Sequence, residues 1–133
     1  IKTEWFDTIH NYIGDDNIIR KGAVSAYKDQ LLVIPINMRD GVLICKGKGN
    51  EDWNYSCCHG AGRLMSRSKA KETIALSDYA ESMKGIYSTC INENTIDESA
   101  FAYKSINDII NNIEDTVEII NIIKPKYNFK ADN

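Results

Sequence analysis

Histidine is nearly missing from this chain: two imidazoles, His10 and His59, stand among 133 residues. Excess positive charge is missing too. Lys and Arg number 16 against 19 Asp and Glu, a formal net charge of −3, which argues against nucleic-acid binding by bulk electrostatics. A local basic run does exist over residues 63–71 (Arg63, Arg67, Lys69, Lys71), although most such runs are solvated helix faces. No apolar stretch approaches the ~20 residues of a membrane span, so no membrane partner is expected. A signal-peptide pattern is absent, and Ile1 is not an initiator methionine, so we expect the natural start to lie upstream. The four cysteines, Cys45, Cys57, Cys58 and Cys90, form no Cys-x-x-Cys pair. Adjacent Cys57 and Cys58 make a poor disulfide framework, so reduced thiols and a cytoplasmic setting are expected. There is no internal repeat, linker or low-complexity segment.

What is present suits one domain over residues 1–133. Hydrophobic residues are 43% and charged residues 26%, the balance of a globular chain with one modest core. Residues 9–13 and 17–26 read as strands around the turn Gly14-Asp15-Asp16. Residues 30–36 contain the apolar run Leu31-Leu32-Val33-Ile34, which suits a buried strand, and residues 42–46 form another. A polar loop with Trp53 and Tyr55 runs up to His59. Residues 66–75 are predicted helical, Ser77 caps a following helix that Gly85 ends, and residues 86–91 are predicted as a strand. Ile106, Ile109, Ile110 and Ile113 fall at helical spacing after a Ser105 cap. Residues 117–123 read as a strand or a buried helix tail, stopped by Pro125. Strands and helices without regular βαβ alternation predict an α+β fold, mixed β-sheets with flanking helices.

The chemistry concentrates in Ser56-Cys57-Cys58-His59-Gly60-Ala61-Gly62-Arg63-Leu64-Met65-Ser66-Arg67. Gly60 and Gly62 let the backbone approach a ligand closely. A glycine-rich turn feeding a helix points N–H groups at an anion. On a helix, Arg63 and Arg67 would lie one turn apart and face the same phosphate. His59 would stand beside that phosphate, and a neutral imidazole is a nucleophile. Taken alone, Gly-Ala-Gly is also a common turn, and most His-Gly pairs do no chemistry.

His59-Gly60-Ala61-Gly62-Arg63, followed by Met65-Ser66-Arg67 and Ala70, resembles the active-site signature of the RtcB family of GTP-dependent RNA-splicing ligases. His10-Asn11-Tyr12, Arg20-Lys21-Gly22-Ala23-Val24, Ile34-Pro35 with Met38, Ala102-Tyr103-Lys104 and Lys130 agree in order and spacing. The resemblance runs from about His10 to Lys130. It implies the C-terminal portion of an RtcB-like catalytic domain. It also implies His59 as the nucleophile that takes GMP from GTP and His10 as a manganese ligand, the other ligands lying upstream. Nucleotide contacts are implied at Asn11, Pro35, Ile36, Asn37, Met38, Gly60, Ala61, Gly62, Arg63, Glu98, Tyr103 and Lys130. The substrates implied are GTP and RNA with 3′-phosphate (or 2′,3′-cyclic phosphate) and 5′-hydroxyl ends, in tRNA splicing or RNA repair, with room for an accessory activating protein. Arg20 and Lys21, beside Gly22, suit an RNA phosphate or pyrophosphate. The chain departs from the pattern at Ile36, where many members have glycine, and at Val42, where a serine is expected. These departures support an alternative, a non-catalytic nucleotide- or RNA-binding domain. Within this chain the metal centre is expected to be incomplete and the isolated chain inactive. His59, Arg63 and the loop 37–41 are expected to converge on one cleft, with His10 open toward it.

Overall fold

The computed structural model describes residues 5–131; the outermost residues of the 1–133 domain assignment lie outside it. Six strands and three α-helices give the expected α+β fold. The strands are β1 (His10–Ile13), β2 (Ile19–Ser25), β3 (Leu31–Asn37), β4 (Gly41–Gly47), β5 (Ser56–Cys58) and β6 (Val117–Ile123). The helices are α1 (Arg67–Thr73), α2 (Leu76–Ser82) and α3 (Ile106–Ile113).

The strands make two three-stranded antiparallel sheets, ordered β1-β2-β5 and β3-β4-β6. Burial alternates along β4, which puts Leu43 and Cys45 inside and Val42 and Ile44 nearer solvent, the period-2 pattern of a sheet with one buried face. Leu32, Ile34 and Ile36 of β3 join Val24, Ala26, Leu43, Cys45 and Cys57 in one core, which Ile109, Ile113 and Val117 complete. The sheets and α3 therefore share the core that supports the His59 turn. A smaller core gathers Met38, Tyr79, Met83, Cys90 and Ile96. There the Tyr79 hydroxyl donates to Met38 Sδ at 3.0 Å.

The Ser105 cap forms as expected, its side chain accepting from Asp108 N–H at 3.1 Å. Residues 117–123 are a strand. Three local expectations fail. Residues 86–91 form no strand; Tyr87 makes only an isolated bridge to Tyr127, bonding the backbone of Lys126 and Asn128 rather than a strand of either sheet. Ser77 lies inside α2, whose cap residue is Ala75 with no side-chain bond. The supposed loop before His59 contains a 3-10 turn, Glu51–Trp53, and then β5, which pairs with β2. Pro35 sits on β3, an edge strand of its sheet, where a missing N–H is tolerated.

Candidate functional site

The His59 turn hangs between the two sheets. His59 N–H donates to the Gly22 carbonyl of β2 at 3.2 Å, and Ala61 N–H donates to the Pro35 carbonyl of β3 at 3.2 Å. Gly60 passes so close to β3 that an added Cβ would lie 3.2 Å from the Pro35 carbonyl oxygen. Gly62 adopts φ +71°, the left-handed region that glycine enters without Cβ strain. The chain next pairs Arg63 with Tyr103 in an isolated antiparallel bridge, and α1 starts only at Arg67. The turn thus does not feed a helix directly. The N–H groups of His59, Ala61 and Leu64 are spent inside the protein, and those of Gly62 and Arg63 have no partner among the described residues.

The imidazoles of His10 and His59 stack, with ring centroids 4.8 Å apart and planes 26° from parallel. The register of β1 on β2 shifts between His10 and Tyr12, and Asn11 lies at that irregularity with φ 58°. Asn11 Oδ1 accepts from Gly22 N–H at 2.6 Å. An added Cβ on Gly22 would touch the His59 ring at 3.7 Å. Asn11 therefore acts on the histidine through Gly22, by holding the strand that seats it.

A cleft of about 610 Å³ opens beside the turn, within the size range of small-molecule sites. Its wall brings together Pro35, Ile36, Asn37, Met38, His59, Gly60, Ala61, Gly62, Arg63, Glu98, Tyr103 and Lys130. His10 and Asn11 do not line it; His10 adjoins it through the stacked His59 ring. Ile36 and Met38 bury their side chains in the two cores. The Asn37 side chain is largely committed to its own loop, accepting from the N–H groups of Arg39 and Asp40 and donating to Asp40 at 2.9 Å.

At the cleft's polar end, Glu98 is the hub. Its carboxylate accepts from the Tyr103 hydroxyl at 2.8 Å and from Arg67 at 2.8 Å. The ammonium of Lys130 stands 3.6 Å away and the guanidinium of Arg63 3.7 Å away. Arg63 also donates to the carbonyls of Met65 and Asp97 and to the Tyr103 hydroxyl, over whose ring it sits. The two arginines thus converge on the acidic pair Asp97 and Glu98, not on a shared helix face. Burial first, then the Glu98 carboxylate, pushes the Tyr103 hydroxyl up to about 12. Arg20, an expected phosphate contact, is instead buried, with bonds to Asp16, Ser56, Tyr27 and the Asn54 carbonyl.

Arg67, expected to face a phosphate beside Arg63, instead fixes Glu98. One contributor escaped the sequence reading. Asn128 lines the cleft with a buried Oδ1 that has no hydrogen-bond partner. An acceptor left so needs explaining, and a donor on a ligand seated in the cleft would satisfy it. No short-range pattern marks Asn128, because the chain returns to the cleft only after β6.

A profile of the family described as tRNA-splicing ligase RtcB matches residues 2–131. The chain belongs to the RtcB family. It is 38% identical over 119 residues to the RNA-splicing ligase RtcB of Escherichia coli K12, covering 84% of this chain and 29% of that protein. The RNA-splicing ligase RtcB1 of E. coli ATCC 25922 is 39% identical with the same coverage. The tRNA-splicing ligase RtcB of Aeropyrum pernix is 38% identical over 107 residues, 67% of this chain and 22% of its own length. The chain thus spans less than a third of the curated relatives it matches.

His10 and His59 give a metal ion two adjacent imidazoles, yet the described residues contain no group of three or more His, Cys, Asp or Glu able to hold one. A catalytic centre takes about three protein ligands, so these residues do not by themselves fit a manganese site. No helix among them is long and apolar enough to cross a membrane.

Proposed function

We propose that this chain carries the nucleotide-handling half of an RtcB-type RNA ligase reaction, with GTP as the nucleotide and His59 as the nucleophile. The observation that carries this is the single cleft uniting His59, the Gly60–Arg63 turn, Glu98, Tyr103 and Lys130. The imidazole of His59 attacks the α-phosphorus of GTP. A P–N bond forms, the bond to the β-phosphate oxygen breaks, and pyrophosphate leaves. The unclaimed N–H groups of Gly62 and Arg63, with the Arg63 guanidinium, are the chain's donors for negative charge developing on that phosphate. An oxygen of an RNA 3′-phosphate then attacks the same phosphorus, and the P–N electron pair returns to the imidazole. A 5′-hydroxyl of a second RNA end finally attacks the RNA 3′-phosphorus, loses its proton and releases GMP.

Glu98 fits the guanine edge. A carboxylate accepts the two adjacent N–H groups a guanine offers, and Arg67 with Tyr103 holds it in one orientation. Asn128 Oδ1 lines the same cleft, and Lys130 stands beside Glu98. His10 offers manganese one donor; the other ligands would come from outside the described residues. RNA is then the partner, with room for an accessory activating protein. The four free thiols suit the reducing cytoplasm proposed as its setting.

The test is RNA joining by the intact protein that contains this sequence. Oligonucleotides ending in 3′-phosphate and 5′-hydroxyl are incubated with GTP and manganese. Joining that requires GTP and falls at least ~1,000-fold in His59→Ala is expected. Binding of GTP or RNA without joining would overturn the ligase proposal in favour of a non-catalytic binding domain.

A further inference from the structure

Two clefts meet at the His59 turn. The second, about 600 Å³, is built from β2, β5, α3 and the 3-10 turn at Trp53, and it shares His59, Gly60, Ala61 and Gly62 with the first. Its charge is one-sided. Arg20, Lys21 and Lys104 line it, with no Asp or Glu on its wall, in a chain whose acidic residues outnumber the basic ones. Arg20 is neutralised by Asp16, but Lys21 and Lys104 are exposed and appear in none of the ion pairs of the described residues. Trp53 stands on the same wall, 56% exposed, outside every ring pair of the described residues.

An exposed aromatic beside unpaired lysines is the combination that binds single-stranded nucleic acid: bases stack on the ring and phosphates meet the ammonium groups. The geometry adds a direction. Group transfer through His59 needs two substrates at one imidazole, and the Glu98 end of the first cleft suits the nucleoside. The second cleft gives a different approach to the same ring, without acidic side chains to repel an anion.

We propose that this second cleft binds the 3′-phosphate end of a single-stranded RNA, with a base near the end stacked on Trp53 and backbone phosphates on Lys21 and Lys104. The assignment rests on the ligase function proposed above and names where its RNA sits.

The experiment measures binding of a 5′-fluorescein RNA ten-mer with a 3′-phosphate to the intact protein, by anisotropy, without GTP, across a salt series. In parallel, labelled GTP reports nucleotide transfer to His59. Trp53→Ala should weaken RNA binding roughly 10-fold or more, and Trp53→Phe should restore most of it, because any aromatic face stacks. Lys21→Ala and Lys104→Ala should each lower the salt slope by about one. The 3′-hydroxyl version of the RNA should bind more weakly than the 3′-phosphate. RNA affinity unchanged within twofold in Trp53→Ala and in the double lysine variant would overturn the assignment, as would equal binding of the two RNA ends. Absence of nucleotide transfer in the unsubstituted protein would count against the ligase function alone, since the binding arm is read without GTP.

Discussion

Glu98 receives Tyr103, Arg67, Arg63 and Lys130, so its two oxygens are fixed before any ligand arrives. Removing one donor should loosen that orientation without unfolding the chain. Tyr103→Phe is expected to weaken GTP binding by roughly 5- to 10-fold, about one charge-assisted hydrogen bond, with an unchanged melting curve; calorimetric titration reads it. The thiols give a second test. The Cys57 thiol donates to Cys58, which lowers Cys58 and raises Cys57, while burial pushes Cys45 up to about 11. Since the thiolate is the reactive form, iodoacetamide near neutral pH should label Cys58 ahead of Cys57 and Cys45, as peptide mapping would show. Labelling of Cys45 first would contradict this. The sequence showed His59, Arg63 and Glu98 because they sit in motifs. It could not show that Arg20 is buried, because that depends on Asp16, Ser56 and Tyr27 meeting across a folded sheet.

The β3–β4 hairpin carries the loop that lines the first cleft, and Asp40 holds that loop. Its carboxylate accepts from Arg39 at 2.9 and 3.0 Å and from Asn37 at 2.9 Å. The Arg39 hydrogen bond leads in holding Asp40 below the usual carboxylate range, against the opposing effect of burial and with Asn37 adding to it. A carboxyl lowered on folding contributes stability that is complete above its unfolded value of ~3.9 and is lost as pH falls through the lower folded value. Acid unfolding should therefore be less steep in Asp40→Asn, which should cost about 1 kcal/mol at pH 7. Denaturant melts at pH 7 and pH 3 check both; equal pH dependence in the two proteins would contradict the role given to Asp40. Elements with a strong internal pattern were legible: the isoleucine spacing of α3, its Ser105 cap and the apolar run of β3. The segment 86–91 has strand-forming residues but pairs only through one bridge to Tyr127, and β5 is too short to show a period. Pairing partners, not propensity, decided both.

Across the whole molecule, apolar side chains remain on both sheets. Ile13 and Ile19 are 70% and 75% exposed on β1 and β2, and Ile120 and Ile123 stand about half exposed on β6. Isolated exposed isoleucines are ordinary, but groups on neighbouring strands favour association. The chain by itself should show concentration-dependent association in sedimentation, and a monomer at every concentration would contradict that expectation. From the sequence, His59, Arg63 and the loop 37–41 are expected on one cleft because a shared phosphate is assigned to them, and Glu98, Tyr103 and Lys130 enter only through the resemblance. The shape of that cleft, and the second cleft beside it, needed the sheets in place. The most direct test of the central claim is whether His59 becomes covalently guanylylated. Intact protein is incubated with labelled GTP and manganese, and the product is mapped by mass spectrometry. GMP should appear on the His59 peptide through an acid-labile bond and disappear in His59→Ala. No adduct, or one that survives His59→Ala, would contradict the account.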